Sequence, residues 1–106
     1  MPAKDIYHAG EKTISATRGE RKIVIEIKSF RGRSPMREFE TALGQYLIYR
    51  TFLSITHPDY QVYLAIAQTI YEEFFTQSAI RLILREYQVL LLIVDIDREE
   101  IIQWIS

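Results

Sequence analysis

The stretch "RKIVIEIKSF", Arg21 to Phe30, has the strict alternation of a β-strand. Its three isoleucines fall on one side of the strand, whereas Val24, Glu26 and Lys28 fall on the other. A carboxylate and an amine two residues apart therefore share one face of an apolar strand. Either they form a solvated face, or they are half of a metal site.

Outward from this strand, the sequence predicts one α/β domain that spans residues 1–106. A β-like run at residues 12–18 and a Gly-Glu turn form a hairpin with the strand 21–29. Ser34 as N-cap and Pro35 in the first turn predict a helix that ends at "THPDY", residues 56–60.

The second half of the chain alternates between apolar strands and helical segments. Residues 61–67 and 89–95 read as strands, with a helical pair, broken near Gln77 and Ser78, between them. "EIIQWI", residues 100–105, closes the chain as a last strand. A helix between strands predicts a mixed sheet with at least one parallel pair of neighbours.

Composition excludes several classes of protein. The chain contains 48% hydrophobic residues, which argues against disorder, and no cysteine, which excludes a disulfide scaffold and a thiol nucleophile. The longest apolar run, Val89 to Val94, is too short to cross a bilayer, and no signal peptide is recognisable. We therefore expect a cytoplasmic protein without a membrane partner.

Charge is distributed unevenly along the chain. Residues 1–37 hold nine Lys and Arg against four Asp and Glu, a net charge of +5, whereas residues 38–106 hold four against ten, a net charge of −6. A basic front half is typical of a protein that meets a polyanion such as DNA. Dispersed surface charges would give the same count, so both interpretations stay open.

Glu26 and Lys28 fit the chemistry of a metal-dependent nuclease. Mg²⁺ or Mn²⁺ prefers carboxylate oxygens, and such a cation activates water against a phosphodiester. A neighbouring lysine stabilises the charge that develops on the phosphate. This is the logic of Glu-x-Lys in restriction-type nucleases, although the tripeptide alone is unspecific.

The predicted helix adds a second element. Gln45 and Tyr49 are four residues apart on one helical stripe, which also carries Glu38. Gln and Tyr so placed after a Glu-x-Lys strand resemble the Gln-x-x-x-Tyr element of the RecB-like branch of the PD-(D/E)xK nucleases. Glu26, Lys28, Gln45 and Tyr49 are therefore the candidate catalytic residues, with Glu26 as the metal ligand. Alternatively, Tyr49 is half-buried and Gln45 caps a polar edge.

Basic residues cluster immediately after the strand. Arg31, Arg33 and Arg37 follow Lys28 in the loop and at the start of the helix, where they could hold backbone phosphates of DNA. An ordinary solvated loop is the competing interpretation. No base-reading motif accompanies them, so the sequence does not predict sequence specificity.

Longer stretches resemble one family in particular, the XisH family of fdxN-element excision controlling factors of cyanobacteria. The matching stretches are "MPAKDIYH" (1–8), "GERKIVIEIKSF" (19–30), "FETALGQYLIYR" (39–50), "YLAIA" (63–67) and "LLLIVDIDREEIIQWIS" (90–106). The resemblance implies a restriction-endonuclease-like fold, a mixed central sheet flanked by helices. It also implies a role in site-specific DNA excision beside a small companion protein, XisI.

The chain departs from the family pattern at its N-terminal side. "DIYH" runs directly into "AGEK", residues 5–12, where XisH-like sequences carry a further helix and a strand with a metal-binding Asp. We therefore expect a truncated fold that binds Mg²⁺ or Mn²⁺ weakly. Asp5 and Glu11 lie upstream of the strand, but no motif supports either of them as a substitute ligand.

The truncation should also expose apolar surface or an unpaired strand edge, so we expect a homo-oligomer or a bound XisI-like partner. Three functions compete: a nuclease-derived DNA-processing factor, a catalytically silent interaction protein, and a toxin–antitoxin-like partner.

Overall fold

The computed structural model describes the backbone of residues 4–8, 11–18, 21–27 and 34–105, and the side chains of residues 34–105. Six strands lie in these ranges: β1 Lys4–His8, β2 Glu11–Arg18, β3 Arg21–Ile27, β4 Tyr60–Ala67, β5 Leu90–Asp95 and β6 Glu100–Ile105. The helices are α1 Pro35–Thr56, α2 Gln68–Ile70, which runs into a π-helical turn at Tyr71–Phe75, and α3 Ser78–Glu86.

The strands form one mixed sheet in the order of the sequence, β1 to β6. The central strands β3, β4 and β5 are parallel to one another, and the pairs at both ends are antiparallel. Each parallel step needs a crossover, which α1 supplies between β3 and β4, and α2 and α3 supply between β4 and β5. The predicted α/β fold, a mixed sheet flanked by helices, is confirmed. The prediction of two strands before α1 was wrong, because β1 adds a third.

Helix α1 begins where its sequence predicts. Ser34 has an extended backbone, and its hydroxyl accepts a hydrogen bond from the Arg37 N–H at 3.3 Å. Pro35 occupies the first turn, where its missing N–H costs nothing, and Glu38 complements the positive end of the helix dipole. The helix ends at Thr56, as expected from the "THPDY" segment.

The helices of the described part of the chain pack on one face of the sheet. Their buried side chains meet those of the central strands in one cluster: Phe39, Ala42, Tyr46, Val62, Leu64, Ile66, Phe74, Phe75, Ile80, Leu84, Val89, Leu91 and Ile93. Phe39 and Phe75 meet edge to face at 5.5 Å between ring centroids.

Strand β5 is buried on both faces, as its continuous apolar sequence predicts. Leu91 and Ile93 belong to the cluster under the helices, whereas Leu92 is buried on the opposite face of the sheet. There it packs with Tyr63, whose ring meets Trp104 perpendicularly at 4.9 Å. None of the helices in the described ranges is long and apolar enough to cross a membrane.

Candidate functional site

Helix α1 carries polar side chains on two opposite flanks. Each residue advances the helix by about 100°, so Gln45 and Tyr49 lie on one side of the buried Tyr46 and Arg50 lies on the other. Gln45 is exposed and Tyr49 is 39% exposed, so both side chains reach the surface on this flank. Glu38, half-buried, lies on the same flank two turns earlier.

The contacts of Arg50 show which way each flank faces. Its Nη1 donates to the carbonyl oxygens of Tyr87 at 2.9 Å and Gln88 at 3.1 Å, in the turn that leads from α3 into β5. Because the centre of α1 packs on β4, the Arg50 flank faces β5 and the Gln45–Tyr49 flank faces the β3 side of the sheet.

The backbone of Glu26 lies in a row of register partners that runs across the whole sheet. The members of this row are Ile6, Thr13, Glu26, Leu64, Leu91 and Ile105. Its three members beyond residue 33 all pack in or against the cluster under the helices. Position 26 therefore stands in a row of the helix-covered face, level with Leu64.

The grouping of the candidate catalytic residues stays a prediction. Lys28, Arg31 and Arg33 lie outside the described residues, and Glu26 is described only by its backbone. Arg37 is described: it is exposed in the first turn of α1, about 12 Å along the helix axis from Gln45. A site shared by phosphate-holding and catalytic groups would thus extend along α1 from its first turn to Tyr49.

The register also bears on how a divalent cation could be held. Within its row, Glu26 is the only carboxylate. Asp5 pairs with Ile14, one row away, and neighbouring rows belong to opposite faces of a sheet. Glu11 stands on β2 two residues before Thr13, the partner of Glu26, and so belongs to the same alternation. Of the two upstream positions, only that of Glu11 shares the strand alternation of position 26.

Tyr46 has a role that the sequence did not reveal. Its hydroxyl is buried, donates to the Val62 carbonyl at 2.8 Å and accepts from the Leu90 N–H at 3.1 Å. Burial raises the pKa of this phenol above 10, opposed in part by the Leu90 N–H and by Arg50, which lies 5.4 Å from the ring. Tyr46 thus joins α1 to the starts of β4 and β5.

Known proteins resemble this chain in both sequence and structure. The family model of the XisH protein matches residues 8–102. A crystal structure of an XisH family protein from Nostoc punctiforme is 38% identical with a TM-score of 0.84, and the match covers 97% of this chain and 83% of that one. Comparison with curated proteins gave no match.

A second crystal structure, of an fdxN element excision controlling factor protein from Anabaena variabilis, is 40% identical with a TM-score of 0.84. The match covers 97% of this chain and 82% of that one. The described fold and the sequence agree with both structures over nearly the whole chain. The chain therefore belongs to the XisH family.

Proposed function

We propose that this protein is a factor that controls excision of a DNA element and that it uses a restriction-endonuclease-like, nuclease-derived fold to contact DNA. The observation that carries the proposal is its similarity, over 97% of its length, to an fdxN element excision controlling factor. The exposed residues Gln45 and Tyr49 lie on the flank of α1 that faces β3, and they support a site on this flank.

The proposed site combines a weak cation-binding group with groups that bind phosphates. Glu26, with Glu11, would hold Mg²⁺ or Mn²⁺, which supplies an activated water when it is bound. Lys28 stabilises charge on the phosphate, Gln45 and Tyr49 orient polar groups beside it, and Arg31, Arg33 and Arg37 hold the backbone of DNA. Because the first carboxylate of the family pattern has no counterpart in the sequence, we expect little or no cleavage.

Mn²⁺ titration followed by plasmid cleavage tests the metal site. The unchanged chain should bind Mn²⁺ weakly and cleave little, and Glu26→Ala should abolish the residual binding. Glu86→Ala, an exposed carboxylate on α3, is the control with the same change of charge. Robust cleavage that depends on Glu26 would contradict the impaired site. Glu11→Ala and Asp5→Ala then compare the two upstream carboxylates, and the register predicts that only Glu11 matters.

The salt dependence of DNA binding tests the basic residues. Replacing Arg31, Arg33 or Arg37 by Ala should weaken binding to all sequences alike and reduce the log–log salt slope by about one unit per lost phosphate contact. Arg98→Ala, in the turn between β5 and β6, removes one charge elsewhere and should leave the slope unchanged. If the salt slope of DNA binding is the same in all four variants, the basic residues belong to an ordinary solvated surface.

A second candidate function, an interaction protein without catalysis, is favoured by one observation. The outer stripe of α1, which we define as Ile48, Phe52 and Ile55, is apolar and 59%, 65% and 76% exposed, respectively. Contiguous exposed apolar side chains mark protein interfaces. In this proposal the stripe is covered by a second copy of the chain or by a XisI-like companion, including one of toxin–antitoxin type.

Sedimentation, with and without the companion, tests this candidate. Phe52→Glu should dissociate the assembly, whereas Thr51→Glu, exposed on the same helix, should disturb it less. If the protein stays monomeric and does not bind the companion at any concentration, the stripe is excluded as an interface.

A further inference from the structure

A cavity of about 790 Å³ opens on the flank of α1 that faces β5. Its walls are the C-terminal half of α1, the starts of β4 and β5, and α3. Three arginines line it: Arg50 from α1, and Arg81 and Arg85 from α3. It lies on the side of α1 away from the Gln45–Tyr49 flank.

The described charged residues that line this cavity are all basic, although the segment of the chain that supplies them is acidic overall. Residues 38–106 contain four Lys and Arg and ten Asp and Glu. Three of the four basic residues are among the described lining residues, and none of the ten acidic residues is. A concave wall with charge of one sign concentrates the electrostatic field. The described lining therefore favours an anion over a cation.

The three guanidinium groups differ in how firmly they are held. Arg50 is fixed by its two hydrogen bonds to the carbonyls of the α3–β5 turn, which are neutral and do not compensate its charge. Arg81 and Arg85 stand one helical turn apart on the exposed side of α3, and within the described residues their side chains make no hydrogen bond or ion pair. Their donors are available to a ligand. An arginine fork matches the oxygens of a phosphate.

The remaining lining suits a flat ring. Tyr60 and Tyr71 are half-buried in the wall, and Val62, Phe75 and Leu91 supply buried apolar surface. Small-molecule sites combine such apolar walls with a few convergent polar groups, in cavities of this size. We propose that the cavity binds a free nucleotide, with its phosphates on Arg81 and Arg85, reinforced by the fixed charge of Arg50, and its base against the tyrosines.

Calorimetric titration of the full chain with ADP, pyrophosphate and adenosine tests the proposal. ADP should bind best, because only ADP offers both phosphates and a ring. Arg81→Ala should weaken ADP binding about tenfold, and the double variant Arg81→Ala/Arg85→Ala should weaken it further. Both side chains are exposed, so these variants should keep the thermal transition of the unchanged chain.

Arg98→Ala is the matched control, since it removes one positive charge from an exposed turn outside the cavity. It should leave ADP binding unchanged. Absence of ADP binding at millimolar concentration, or equal weakening by Arg98→Ala and Arg81→Ala, would overturn the proposal. So would equal affinity for pyrophosphate and ADP, or binding of a terminally phosphorylated oligonucleotide by the same arginines without binding of ADP.

Discussion

The buried face of α1 and its exposed flank place similar residues under opposite constraints. Tyr46 and Tyr49 stand three positions apart in "QYLIY", yet Tyr46 is fully buried and joined to two strands, whereas Tyr49 lies at the surface beside Gln45. On the other flank, Arg50 is fixed to the turn before β5. One short motif therefore contains both a tyrosine that supports the fold and a tyrosine that does not share this structural role.

Tyr46→Phe should have the largest effect on stability. The change removes one hydroxyl and leaves two backbone groups, the Val62 carbonyl and the Leu90 N–H, without that partner in a buried place. We expect the free energy of unfolding to fall by about 2–4 kcal/mol, because each unsatisfied buried group costs about 1–3 kcal/mol. Urea unfolding measures this change.

Tyr49→Phe is the matched control on the exposed flank of the same helix. It removes the same hydroxyl from an exposed side chain, so the free energy of unfolding should change by no more than about 0.5 kcal/mol. Equal losses of unfolding free energy from Tyr46→Phe and Tyr49→Phe would contradict the proposed difference between the two tyrosines.

Alkaline pH should reduce the difference in the free energy of unfolding between the unchanged chain and Tyr46→Phe. The pKa of Tyr46 is raised in the folded state, so the unfolded chain loses this proton first as pH rises above about 10. The stability that comes from the neutral phenol is thus complete below about pH 10 and is lost as pH rises through the folded pKa. The gap should shrink by at most about 1.4 kcal/mol per pH unit. A constant gap across this range would contradict the prediction.

Arg50→Met should produce a smaller loss. The two hydrogen bonds to the α3–β5 turn lie near solvent, so water replaces part of what is lost, and we expect a cost of about 1 kcal/mol. Arg81→Ala, on the opposite wall of the cavity, should stay within about 0.5 kcal/mol. Thermal unfolding of both variants would separate the arginine that supports the fold from one that is available for binding.

Strong local signals in the sequence were sufficient to predict individual helices and strands. The Ser34 cap and Pro35 gave the start of α1, and the continuous apolar runs gave β4 and β5, because both signals act within a few residues. The strand β1 was missed, since "KDIYH" has only two apolar residues and takes its strand conformation from pairing with β2.

Contacts between distant parts of the chain lie beyond such signals. Arg50 and Arg81 are 31 positions apart, and no periodicity relates them; the crossover through β4 brings them to one cavity. The double role of the Tyr46 hydroxyl was equally hidden, because a tyrosine on an apolar stripe reads as ordinary core. For Glu26 and Lys28 the argument for a metal site comes from the sequence pattern, and the structure adds the register of the Glu26 backbone.

The Tyr46 hydroxyl also has a consequence for the order of folding. Its partners are 16 and 44 residues away along the chain, so both hydrogen bonds require that long segments first be closed. We therefore expect both contacts to form after the rate-limiting step of folding. We expect Tyr46→Phe to accelerate unfolding far more than it slows refolding, which stopped-flow measurements would resolve. The Tyr46 hydroxyl would then act chiefly by slowing unfolding, and it would thereby set the lifetime of the folded chain.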